Sequence, residues 1–140
     1  MTDTDVLIVD VDPNVRSQLS EVLALRGCRV RLASNGAEAL RILESFEPSL
    51  VLMDMQTPMM DGWEFARELQ SRQIRLPLVV MGQADHIEAW AKEIGAAGFL
   101  PKPVEVTRLL ACVQIPEHDG SAYAARPGRE SFPRRSSTLG

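Results

Sequence analysis

The stretch that decides the fold is residues 50–62, LVLMDMQTPMMDG. Leu50, Val51, Leu52 and Met53 form an apolar run that ends in a carboxylate, Asp54. Thr57-Pro58 and Asp61-Gly62 then break the chain before Trp63, Glu64 and Phe65 begin a helical pattern. A short continuous apolar run bounded by turn residues fits a strand buried on both faces, the strand type of a parallel sheet. Asp54 then falls at the carboxyl edge of that sheet, where open α/β folds place their ligands. A lone aspartate at a strand end also serves as a turn-former or helix cap.

Working outward, Val6-Leu7-Ile8-Val9 is a second all-apolar run and also ends in acid, at Asp10. Asp12-Pro13 is a helix start: Asp caps free amides and Pro fits the first helical position. Val15, Leu19, Val22 and Leu23 give that helix one apolar face, and Gly27 closes it. Arg29-Val30-Arg31-Leu32 alternates, so it reads as a strand with one wet face near a sheet edge. Asn35-Gly36 opens a second helix with Ala39, Leu40, Leu43 and Phe46 inward. The third helix carries Phe65, Ala66 and Leu69. Leu78-Val79-Val80-Met81 is another buried strand, ended by Gly82, and Asp85 is placed to cap a fourth helix striped by Ile87, Trp90, Ala91 and Ile94. Phe99-Leu100 makes a short strand stopped by Pro101-Lys102-Pro103, and Val106, Leu109, Leu110 and Val113 mark a fifth helix. Strands alternating with helices at this spacing predict βαβ units, a parallel sheet and a five-stranded α/β sandwich.

At 140 residues, one domain is expected. It spans residues 1–116, because from about Pro116 the chain is rich in Gly, Ser, Pro and Arg with little to bury. Residues 117–140 therefore read as a disordered tail, its cluster Arg134-Arg135-Ser136-Ser137 a solvated one. The net charge of -4 argues against an electrostatic nucleic-acid binder. Cys28 and Cys112 lack metal-ligand spacing and read as buried thiols of a reducing compartment. No apolar run approaches a membrane span and the start MTDTD is unlike a signal peptide, so a cytoplasmic protein is expected. Trp63, Trp90 and the methionines at 53, 55, 59, 60 and 81 read as packing and loop cover, and His86 and His118 as solvent-facing.

In a parallel sheet the carboxyl ends of the strands share one edge. Asp10, Asp54, Gly82 and the Lys102 region are then expected around one crevice. Two carboxylates offer oxygen ligands of the kind Mg2+ takes while keeping several waters. A carboxylate beside a cation and a lysine can attack phosphorus and form an aspartyl phosphate.

The segments VLIVDVDPNVR, NGAEAL, LVLMDMQTPMMDGWEF, LPLVVMG and GAAGFLPKPV, in this order, resemble the receiver domain of two-component response regulators (CheY-like) over residues 5–115. The resemblance implies a flavodoxin-like, doubly wound sheet of order 2-1-3-4-5 with five helices. It makes Asp54 the phosphoacceptor and Lys102 the phosphate-sensing lysine. Asp10, Asp54 and the backbone carbonyl of Gln56 become the Mg2+ ligands, Phe99 the aromatic that rotates on activation, and Lys102-Pro103 a cis peptide. Position 82 is the switch residue. The chain departs from the pattern twice. Val11 stands where the family carries a second acid, normally a direct metal ligand, so Mg2+ binding should be weaker; Asp12 is either a substitute ligand or the helix cap. Gly82 stands where the family has Ser or Thr, whose hydroxyl bonds the phosphoryl group.

The leading expectation is a single-domain response regulator, phosphorylated at Asp54 by a sensor histidine kinase or a histidine phosphotransfer protein. It would signal by protein docking through the helix 4–strand 5–helix 5 face, with no catalysis beyond self-dephosphorylation. A second is a receiver-like docking module that works without phosphorylation, motivated by Val11 and Gly82. A third is a haloacid dehalogenase-type phosphohydrolase, with Asp10 as nucleophile and Asp12 as acid/base.

Overall fold

The computed structural model describes residues 4–113, which divide into two compact units meeting between Pro77 and Leu78. The first contains β1 (Asp5–Val9), α1 (Pro13–Leu25), β2 (Arg29–Ala33), α2 (Gly36–Ile42), β3 (Leu50–Asp54) and α3 (Gly62–Ser71). β1 lies between β2 and β3 and is parallel to both, with Val9 opposite Ala33 on one side and Met53 on the other. Successive strand residues face opposite sides, so the unbroken burial of Val6, Leu7, Ile8 and Val9, and of all five β3 residues, means both faces are covered. Each of the apolar side chains among them contributes about 1.5–3 kcal/mol relative to exposure.

β2 is the edge strand that the alternation predicts, but it is wetter than a half-buried strand. Arg29, Arg31 and Leu32 are exposed and only Ala33 is buried. Charge on an edge discourages pairing with another chain. Arg29 also makes a two-pronged salt bridge to Asp5, at 2.7 and 2.9 Å, and Arg31 lies 5.2 Å over the half-buried ring of Phe46, beyond the end of α2.

The helix starts follow local chemistry. Asp12 Oδ1 accepts from the Asn14 N–H at 2.8 Å and Pro13 takes the first helical position. Replacing Asp12 by alanine should cost about 1 kcal/mol, read as a lower urea midpoint with an unchanged slope. Asn35 caps α2, and Asp61 with Glu64 forms a reciprocal capping box on α3. Phe65 and Leu69 then bury the inner face of α3.

The second unit contains β4 (Leu78–Gln83), α4 (Ile87–Ile94), β5 (Gly98–Lys102) and α5 (Val106–Cys112). Three expectations are corrected here. β4 does not stop at Gly82, because Gly82 and Gln83 still pair in register with Pro101 and Lys102 of β5. For the same reason β5 runs on through Pro101. A proline is tolerated there because β5 is an edge strand. Asp85 does not cap α4: a turn closed by His86 N–H to the Gln83 carbonyl (3.0 Å) puts His86 at the cap position, with no side-chain bond. α4 ends at Gly95 in the left-handed region (φ 71°). In α5, Leu109 and Leu110 are buried, as is Val113 just past its end, whereas Val106 in the first turn is exposed.

The sheet order is β2-β1-β3-β4-β5 and the strands are parallel, the flavodoxin-like topology that the resemblance implies. The Lys102-Pro103 bond is cis. Cys28 is buried, Cys112 is half-buried and neither is in a disulfide. Burial raises both thiol pKa values, that of Cys112 to about 12. Among the described residues no helix is long and apolar enough to cross a membrane. The expectations for residues 117–140, His118 and the 134–137 cluster included, lie outside the described residues.

Candidate functional site

Because Val9 stands opposite Met53, the next residues along each strand, Asp10 and Asp54, leave β1 and β3 at the same level. Asp10 is 0% exposed and Asp54 6%. Burying a carboxylate is costly unless polar groups meet it, so these are not ordinary solvated turn acids. Asp10 Oδ1 accepts the Asp12 N–H at 2.9 Å, and Asp54 Oδ1 accepts the Gln56 N–H at 3.3 Å. Each acid therefore turns the chain after its strand and is at the same time fixed in place. The turn reading therefore holds for both acids.

The loops around these acids are tied down. Arg16, one turn into α1, donates from Nη1 to the carbonyls of Asp10 (2.6 Å) and Val11 (3.3 Å). Sequence reasoning missed this residue; its signal was a lone cation on a helix face otherwise read only for apolar spacing. In the β3–α3 loop, the Met60 carbonyl accepts from Thr57 Oγ1 at 2.6 Å and from the Gly36 N–H at 3.0 Å. Glu38 was also unforeseen. Its Oε1 accepts from the backbone N–H of Ser34 (2.7 Å) and its hydroxyl (2.9 Å). These bonds hold its carboxyl below the usual range, with Arg16 and Arg41 adding to the effect.

Val11 is 46% exposed, so the position where a second acid was sought presents an apolar side chain to solvent. Asp12 is exposed and engaged as the α1 cap. Gln56 is exposed, two residues past Asp54. Met53, Met55 and Met81 are fully buried core residues, while Met59 is 83% exposed.

In the second unit, Gly82 is buried opposite Pro101, and half-buried Lys102 stands opposite Gln83. Half-buried Phe99 has the Arg108 guanidinium 5.8 Å over its ring. Trp90 is half-buried, and its indole stacks on the exposed His86 ring with centroids 5.2 Å apart.

Among the described residues no group of three or more His, Cys, Asp or Glu side chains is arranged to hold a metal ion. Two carboxylates with backbone carbonyls and water are the kind of donor set that suits a hard dication such as Mg2+, which takes few protein oxygens and keeps its waters. Val11 makes that set one acid poorer.

The order β2-β1-β3-β4-β5, with buried aspartates at the carboxyl ends of the first and third strands, makes this a flavodoxin-like α/β protein. The chain belongs to the response regulator receiver domain family, whose profile matches residues 6–114. It is 35% identical over 111 residues to the regulatory protein AtoC of Escherichia coli, covering 78% of this chain and 24% of AtoC. It is 37% identical over 108 residues to the response regulator MprA of Mycolicibacterium vanbaalenii, covering 76% and 47%. The chain thus spans about half or less of the curated relatives it matches. Among solved structures it resembles chemotaxis response regulator CheY4 of Vibrio cholerae (TM-score 0.72, 28% identity, 81% of this chain and 98% of that one). It also resembles a putative response regulator of Chloroflexus aurantiacus (TM-score 0.75, 28% identity, 89% and 100%). Receiver domains are signalling modules, and the dehalogenase reading of Asp10-Val11-Asp12 gives way to this assignment.

Proposed function

We propose that this receiver domain accepts a phosphoryl group on Asp54 from a sensor histidine kinase or a histidine phosphotransfer protein and signals in the cytoplasm by docking to another protein. The observation that carries the proposal is Asp54 itself: a buried carboxylate, fixed by the Gln56 amide and level with a second buried carboxylate, Asp10. In the transfer, an Asp54 oxygen attacks phosphorus as the phosphorus–nitrogen bond to the donor imidazole breaks, and the electron pair leaves on that nitrogen. Charge on the three peripheral oxygens has to be met by fixed cations, a role assigned here to Lys102. Mg2+, held by Asp10, Asp54 and the Gln56 carbonyl, would supply the remaining charge neutralisation. Output through the α4–β5–α5 face, with Phe99 as its aromatic, belongs to the same proposal.

Incubation with acetyl phosphate and Mg2+ should add the mass of one phosphoryl group to the intact protein, and Asp54→Asn should remove that gain entirely. No gain at saturating donor and metal, or a gain that survives Asp54→Asn, overturns the proposal. Val11 and Gly82 favour a second reading, a docking module whose partner binding ignores phosphorylation. Partner affinity unchanged by Asp54→Asn would select it.

A further inference from the structure

Gly82 is the position at which a receiver ordinarily carries a hydroxyl, and its backbone does not explain the glycine. Its φ lies outside the left-handed region occupied by Gly27 and Gly95. Where φ permits a side chain, glycine in a strand is a liability, because it loses more conformational freedom on folding than any other residue. What sets this glycine apart is the close approach of α4. A methyl group built on Gly82 would stand 3.1 Å from Ile87 Cδ1 and 3.4 Å from Trp90 Cζ3. Ile87 is fully buried and begins α4; Trp90 is one turn further on, with His86 stacked on its ring. The first turn of α4 therefore lies close over the end of β4, so that a side chain at 82 would touch Trp90 and would need Ile87 Cδ1 to give by a few tenths of an ångström.

We propose that Ile87 and Trp90 form a latch, replacing the missing side chain at 82 and holding α4 against β4 in one arrangement whether or not Asp54 is phosphorylated. Trp90 is on this account a positioning residue. The inference rests on the receiver reading for its link to Asp54, while the latch itself is a property of the unphosphorylated protein. The physical reason is packing: a filled interior responds to added volume by discrete repacking rather than by sliding. A helix whose Ile87 and Trp90 lie within 3.1 and 3.4 Å of where a methyl group at 82 would stand has little room to move toward the strand.

Two measurements test it. In equilibrium unfolding, Gly82→Ala should lower the folding constant about tenfold in the wild-type background. Combined with Ile87→Val, which deletes the one atom at 3.1 Å, the same change should cost about twofold or less. Strict additivity of the two substitutions overturns the latch. The second measurement is amide hydrogen exchange of α4, before and after acetyl phosphate treatment, in protein whose intact mass shows phosphorylation. Exchange in the wild type should change by less than about twofold, and in Trp90→Leu by about tenfold. A wild type that responds as strongly as Trp90→Leu, or a Trp90→Leu protein as unresponsive as wild type, overturns it. If no phosphoryl mass appears, the acceptor proposal fails and the unfolding cycle alone decides the latch.

Discussion

Gly62→Ala is expected to destabilise the protein by about 2–3 kcal/mol, although helix propensity taken alone favours the change by about 1 kcal/mol. Gly62 opens α3, and a methyl group added to it would stand 2.4 Å from Met55 Sδ and 3.0 Å from Met55 Cα. A thioether can swing aside where there is room, but Met55 is fully buried, and the second contact is with backbone. The Gly62 N–H also donates to the Met55 carbonyl at 2.9 Å, so the helix start and the strand end are fastened together. The relief available is a shift of the chain at Met55, and Met55 directly follows Asp54. Phosphoryl transfer is sensitive to placement, with about 100-fold lost for a misplacement near 1 Å. The variant should therefore melt about 10 °C lower and, still folded at low temperature, take up phosphoryl groups from acetyl phosphate about 10–100-fold more slowly. Wild-type stability together with wild-type phosphorylation would show that the loop absorbs the methyl group without moving the acid.

The contrast between helix propensity and close approach also shows what a sequence can carry. The runs at 6–9, 50–53 and 78–81 are legible because burial on both faces leaves no polar position to confuse the period. Once those strands are parallel, Asp10 and Asp54 must reach one edge of the sheet, and the register of β1 with β3 sets them level. Features decided by contacts between residues distant in sequence were not legible. Arg16 takes meaning only when the carbonyls of Asp10 and Val11 turn toward it. Asp85 looks like a cap until the turn from Gln83 to His86 moves the helix start past it. Gly82 reads as the loss of a hydroxyl, and only the fold shows how closely Ile87 and Trp90 approach it. Leu32 and Val106 were misread for a simpler reason: an apolar side chain on an edge strand or in a first helical turn can remain in water at small cost.

Val11→Asp should make stability depend on magnesium. Val11 is 46% exposed, so a carboxylate there would keep much of its hydration and meet only a small desolvation cost. It would join Asp10, fully buried one residue before it, and Asp12, the exposed cap one residue after it. Without a metal the added like charge lies near Arg16, whose Nη1 already serves the two carbonyls of this loop. In EDTA the variant should be less stable than wild type by about 0.5–1 kcal/mol. With a dication present the sign reverses. After desolvation, attraction between a carboxylate and Mg2+ at the site's edge leaves about 1.4 kcal/mol, a tenfold tighter dissociation constant. Binding to the folded state alone raises stability with the logarithm of free metal. The variant's melting temperature should therefore climb through a Mg2+ titration that leaves the wild type nearly flat. Ca2+, which prefers six to eight oxygen ligands at longer distance, should produce a smaller shift at equal concentration. Parallel titration curves for the two proteins would mean that position 11 does not border a cation site.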